Sequence, residues 1–158
     1  LPTDLWVPAT KNLAPQRSQQ VAAGFAYDIP KTKLEFTIES YYKTMDNIIA
    51  YKEGASFVGV GPQESNAERF RWEEAVTSGR GTSYGFEFFL QKKSGKFTGW
   101  IGYTLSWTQL QFDALNNGQP FWARYDRRHD ISYVNTYRIR EEQKGKDGIT
   151  VSATWVYG

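Results

Sequence analysis

The sequence predicts an all-β fold, an antiparallel up-and-down meander of about six strands that forms part of a larger transmembrane β-barrel. Three observations lead there. Apolar and polar residues alternate along segments too long for ordinary soluble strands. From Leu34 every second residue reads Leu34, Phe36, Ile38, Ser40, Tyr42, against Glu35, Thr37, Glu39, Tyr41 and Lys43. Successive strand side chains point to opposite faces, so such a segment has one greasy and one wet face. The wet faces carry Glu, Lys, Thr, Ser and Gly, and the greasy faces are edged by Tyr and Trp. Polar-in, apolar-out strands with aromatic girdles are what a membrane barrel requires. Finally, the connections alternate short, long, short, long, short. In a meander that puts tight turns at one end and long loops at the other, as in outer-membrane barrels.

Residues 1–16 are Pro-rich, lack periodicity and read as loop. A first strand is expected from about Arg17 to Ile29, with Val21, Ala23, Phe25, Tyr27 and Ile29 apolar and the intervening positions small or polar. Pro30-Lys31-Thr32-Lys33 is a tight turn. The second strand, Lys33 to about Tyr51, is roughly twice the ~10 residues that cross a bilayer, so its excess should project beyond it. A Gly-containing loop follows to about Glu74. A third strand over about Ala75–Lys92 places Tyr84, Phe86, Phe88 and Leu90 on one face. Lys93-Ser94-Gly95-Lys96 makes a short hairpin connection. The fourth strand runs from Phe97 to about Asp113, with Phe97, Gly99, Ile101, Tyr103, Leu105 and Trp107 alternating with Thr98, Trp100, Gly102, Thr104, Ser106 and Thr108. A second long loop spans about 114–127, the fifth strand about Arg128–Ile139, and a charged turn leads into the sixth, Ile149–Tyr157. No helical periodicity is present.

A chain of 158 residues is normally one domain, yet aromatics make up 16% of it, including ten Tyr and six Trp. Rings with a polar handle suit a membrane–water interface. The net charge of +2, with scattered basic residues, gives no basis for nucleic-acid binding. There is no cysteine, hence no disulfide framework. No run approaches the roughly eighteen apolar residues of a membrane helix, which excludes helical spans and says nothing of barrel strands. The chain opens on Leu1 without an initiator Met and stops inside a strand pattern at Tyr157-Gly158, so it reads as a piece of a longer polypeptide. About eight strands is the smallest single-chain membrane barrel, and open edges in lipid would leave costly unpaired backbone groups.

Catalytic readings find little support. His129, beside Asp126 and Asp130, lacks a second His or Cys to complete a metal site, and reads as part of a polar cluster with Arg127 and Arg128. Glu35, Glu39 and Glu87 face the expected lumen. Residues i and i+4 on a strand lie about 13 Å apart, too far for either hydrolytic carboxylate geometry. Gly54, Gly59, Gly61, Gly79 and Gly81 read as loop or bulge positions. No catalytic residue, metal or cofactor is expected.

The wording of the strands resembles the TonB-dependent outer-membrane receptors. LAPQRSQQVAAGFAYDI is followed by LEFTIESYYKTMDNIIAYKEG, in which Tyr41, Tyr42, Lys43, Met45, Asn47, Ile48, Ile49 and Tyr51 match a return-strand motif of that family. GTSYGFEFFLQKKSGKFTGWIGYTLSWT resembles its Gly-x-Ser-Tyr-Gly-x-Glu hairpin. Tyr125-Asp126-Arg127-Arg128-His129-Asp130 resembles a motif that opens a later strand. The likeness spans about Leu13 to Tyr157. It implies a barrel of about 22 strands filled by a plug, of which this chain supplies roughly the last third short of the final strand. The plug and the TonB box lie outside this sequence.

That resemblance implies import of a scarce solute such as a siderophore, cobalamin, oligosaccharide or peptide. The expected partners are the outer-membrane bilayer, the rest of the barrel and plug, TonB through an N-terminal segment, and, in carbohydrate-importing members, a surface lipoprotein. Extracellular loops fall at about 1–16, 52–74 and 114–127. Ligand contacts are expected from Phe57, Arg69, Phe70, Trp72, Phe121, Trp122 and Arg124. Lipid-facing and belt residues are expected at Phe36, Ile38, Tyr42, Phe86, Phe88, Ile101, Tyr103, Leu105, Trp107, Trp155 and Tyr157. The alternative is a soluble lipocalin-like ligand-binding barrel, which needs an apolar interior and eight strands.

Overall fold

The computed structural model describes residues 9–52, 72–140 and 147–158. They form seven strands: β1 (Arg17–Ile29), β2 (Leu34–Tyr51), β3 (Val76–Lys92), β4 (Phe97–Phe112), β5 (Phe121–Trp122), β6 (His129–Arg140) and β7 (Ile149–Tyr157). All belong to one sheet in the order β1-β2-β3-β4-β6-β7, with the short β5 pairing β4 off that path. Apart from β5, chain neighbours are therefore sheet neighbours, as in a meander. Strands β1 and β7 are its edges, so the sheet is open and fits part of a larger barrel. The six expected strands are present with ends within about a residue of expectation. The seventh, β5, is a two-residue strand within the expected long loop of about 114–127. Leu110 pairs with Phe121 and Gln109 with Trp122, so that loop folds back onto β4.

By packing, the chain divides into two compact units. One comprises Leu1–Gln19, Lys43–Thr82 and Gln109–Ala123, the other Gln20–Tyr42, Ser83–Thr108 and Arg124–Gly158.

Among described residues, the first unit holds the buried apolar side chains: Leu13, Val76, Phe112 and Ala123. Gly79 and Gly81, read as loop or bulge positions, lie inside β3. Their missing side chains are what lets neighbours close over the strand. A Cβ on Gly79 would sit 2.7 Å from Phe112 Cγ, and one on Gly81 2.8 Å from both Ile48 Cδ1 and Leu110 Cδ2. Met45 also reaches Gly81. Met45 and Ile48 are three residues apart yet approach the same point, so the alternation of β2 slips by one between them. Asn47 takes up the slip with φ +57°, a left-handed conformation that Asn tolerates, and its amide donates to Pro15 O at 3.0 Å.

The second unit shows the two-faced chemistry most clearly. The β4–β6 register pairs Ile101 with Tyr133, Tyr103 with Ile131 and Leu105 with His129. The β6–β7 register carries the same face onward, pairing Ile131 with Tyr157 and Tyr133 with Trp155. The opposite face aligns Thr98, Thr136 and Ser152. There Thr136 and Ser152 share a hydroxyl hydrogen bond at 3.0 Å.

Candidate functional site

Within the second unit, the apolar positions form a continuous aromatic surface on one face of the sheet. Tyr42 stacks on Tyr84 at 6.4 Å between ring centroids, and Tyr84 on Trp107 at 5.3 Å. Phe88 stacks on Tyr103 at 5.9 Å, and Trp155 on Tyr157 at 6.2 Å. Phe36 and Ile38 share the face of Tyr42 by alternation, and Phe86 that of Tyr84 and Phe88. All eleven residues expected to face lipid thus lie on one face. Tyr42, Phe86, Ile101, Trp155 and Tyr157 are among the exposed large apolar side chains. On the edge strand β1, Val21, Phe25 and Tyr27 are exposed as well.

The other face is mostly polar. Glu39 lies over Gly24, whose Cβ would fall 2.9 Å from Glu39 Cγ. Glu35 pairs with Lys93, and Glu87 is exposed. The face also carries an apolar patch that alternation of polar residues did not announce. Phe89 packs on Trp100 at 5.8 Å, and Trp100 pairs with Val134 in the register.

The residues expected to contact ligand divide. Phe57, Arg69 and Phe70 lie outside the described residues. Trp72 opens a 3₁₀ turn over Trp72–Ala75. Phe121 and Trp122 are consecutive on β5 and so point to opposite faces. Phe121 stacks on Phe112 at 6.1 Å, whereas Trp122 is 49% exposed. The two aromatics do not form one patch. Arg124 is exposed in the turn that follows.

The cluster around His129 is a structural lock. Asp126 accepts the Thr108 backbone N–H at 2.7 Å and an Arg128 N–H at 3.0 Å. The Arg128 guanidinium lies 5.0 Å from the centroid of the Trp107 ring, a cation–π arrangement. Arg127 reaches Asp130 at 3.8 Å. Tyr103 Oη and His129 Nδ1 are 2.8 Å apart, with the rings nearly parallel. Among the described residues no group of three or more His, Cys, Asp or Glu could hold a metal ion.

Two of the cavities among the described residues differ in character. A polar one of about 280 Å³ in the first unit is lined by Asp46, Ser78, Arg80, Gln111 and Asp113. There Arg80 Nε donates to Gln111 Oε1 at 3.0 Å. An apolar one of about 130 Å³ in the second unit opens on the aromatic face beside Gly99. None of these features arranges a nucleophile with a base. What the geometry builds is a wall with one oily and one wet side.

The family described as TonB dependent receptor-like, beta-barrel matches residues 2–155. No curated protein and no solved structure matches the chain.

Proposed function

Because the chain belongs to the TonB-dependent receptor β-barrel family, we propose that it forms wall of an outer-membrane transporter importing a scarce solute too large for porins. That solute is a siderophore, cobalamin, an oligosaccharide or a peptide. The observation that carries this reading is the shared register of the aromatic face. Residues from β2, β3, β4 and β7 put large apolar side chains on one side, while Thr98, Thr136 and Ser152 line the other.

In this reading the aromatic face meets lipid and the polar face meets the lumen and plug. An exposed ring surface of this extent is unfavourable in water, and lipid removes that penalty. Tyr and Trp at its margins hold their polar tips in the interface. The long connections about 1–16, 52–74 and 114–127 lie outside the cell, where Trp72, Trp122 and Arg124, with Phe57, Arg69 and Phe70, would meet the solute. TonB engages through an N-terminal segment, and energy coupling lies there rather than in this wall. A surface lipoprotein partner belongs to the oligosaccharide version of the reading. A soluble lipocalin-like barrel is not favoured, because such a barrel closes its edges, whereas β1 and β7 do not pair in the described residues.

Deletion of the gene tests the proposal. Uptake of ferric siderophores, cobalamin and oligosaccharides is measured with and without a protonophore. Loss of protonophore-sensitive uptake of one class is the expected result. Unchanged uptake of all classes, or recovery of the full-length protein outside the outer-membrane fraction, would sink it.

A further inference from the structure

On the aromatic face of the second unit, Gly99 of β4 leaves a gap between its neighbours. Its φ of +153° and the backbone of β6 exclude a side chain, since a Cβ would fall 2.9 Å from Asn135 Cα and closer still to Val134 O. The gap is the floor of the apolar groove of about 130 Å³, walled by Leu34, Leu90, Phe97, Ile101 and Tyr133. That volume is comparable with the roughly 150 Å³ apolar cavity that takes benzene. It therefore suits a few methylenes of a single chain rather than a fused-ring ligand.

One lining residue breaks the apolar character. Lys92, the last residue of β3, also borders the groove and is only partly exposed. A Lys stem covers apolar surface while its ammonium reaches the polar boundary. The turns beside it are basic, with Lys31, Lys33, Lys92, Lys93 and Lys96 against Asp28 and Glu35 over residues 28–35 and 92–96. Glu35 is taken up by Lys93. An apolar slot ending at an ammonium, next to a positively charged rim, complements an amphiphile with an anionic head.

We infer that this groove is a specific site for an anionic bilayer phospholipid, with one acyl chain along Gly99 and the headgroup phosphate on Lys92. The inference rests on the aromatic face being the lipid-facing one. Chain burial sets the position, and the Lys92 ammonium selects the head, worth about a fivefold preference for one cation near the surface.

The test uses the full-length receptor in mild detergent, titrated with dioleoyl phosphatidylglycerol or dioleoyl phosphatidylcholine, with bound lipid counted by native mass spectrometry. One retained phosphatidylglycerol is expected, preferred about fivefold over phosphatidylcholine. Lys92→Gln should erase the preference, and Leu90→Trp, which fills the groove, should lower retention of both lipids. Retention that neither variant changes overturns the site. So does an equal loss from Val151→Trp, on the same face but outside the groove. A nitroxide at Val151→Cys separates this outcome from failure of the transporter reading. Access to oxygen but not to a water-soluble nickel chelate puts the face in lipid, and a missing lipid adduct then overturns the site alone. Access to the nickel chelate would overturn both.

Discussion

Asp126 accepts the backbone N–H of Thr108 at 2.7 Å, and its second oxygen takes an Arg128 N–H at 3.0 Å. One carboxylate thereby ties the segment leading into β6 to the end of β4. Its side chain is only 8% exposed, so in the folded state it is largely shielded from water. Asp126→Ala removes the acceptor of the Thr108 N–H and of one Arg128 N–H, at a cost of about 2 kcal/mol. Amide exchange at Thr108 in the full-length receptor should then accelerate roughly thirtyfold. Asp126→Asn keeps a neutral acceptor and should cost less than half as much. Equal exchange in the wild type and both variants would mean the lock carries no local stability.

Glycines separate by cause. At Gly79 the obstacle is space, since Phe112 Cγ would lie 2.7 Å from a Cβ. Gly79→Val should abolish the heat-modifiable migration that marks a folded barrel. At Gly118 the obstacle is conformation, for φ is +74° while the surroundings are open, with Asp113 O 4.0 Å away as the nearest atom. Gly118→Ala should cost about 1 kcal/mol, and Gly118→Asn less, because Asn enters the left-handed region more readily. Asn116 and Asn117 beside it already do so, at φ +50° and +53°. Folded migration of Gly79→Val would refute the steric account.

The strands were legible because two local signals coincide at each end. Alternation from Leu34 and from Phe97 sets the faces, and Pro30–Lys33 and Lys93–Lys96 fix the turns between them. Features that depend on distant partners were not legible. Nothing within Phe121-Trp122 states that the loop returns to Leu110 and Gln109. Asn47 gives no local warning that β2 slips by one residue there. Gly79 and Gly81 look like breakers until Phe112, Ile48 and Leu110 are seen to need the space. The same limit governs the candidate site. Phe121 and Trp122 read as a pair of exposed aromatics, and only pairing with β4 sends one toward Phe112 and the other outward.

The Lys93–Glu35 pair carries a pH dependence of definite sign. A hydrogen bond from Lys93 to Glu35, and then the charge of that carboxylate, hold the Lys93 ammonium above its ordinary value of 10.5. A lysine raised on folding stabilises fully below its unfolded value, and the contribution disappears as pH climbs through the folded one. The pair should therefore hold from neutral pH up to 10.5 and loosen above that. The ¹³C-methyl signal of reductively methylated Lys93 reports the titration directly. Glu35→Gln should lower its midpoint, and an unmoved midpoint would show that the pair does not form in solution.

Trp122 and Phe121 give the sharpest division between recognition and packing, since adjacent positions on one strand serve opposite faces. Phe121 rests on Phe112, which is 2% exposed and the largest fully buried side chain among the described residues. Removing the Phe121 ring opens a space against that core, and losses of this kind reach about 3 kcal/mol when the ring is well covered. Phe121→Ala should therefore reduce folded receptor, with ligand affinity unaltered in the fraction that folds. Trp122 presents half its surface outward, so Trp122→Ala should leave heat-modifiable migration intact. If the loop meets the transported solute, the same change should weaken binding at least about fivefold, the equivalent of roughly 1 kcal/mol. Arg124→Ala, exposed in the following turn, provides the independent second variant. The readout is equilibrium binding to the full-length receptor of the solute class that the uptake panel identifies. Affinity unchanged in both Trp122→Ala and Arg124→Ala would remove this loop from ligand recognition and leave it a purely structural flap on β4.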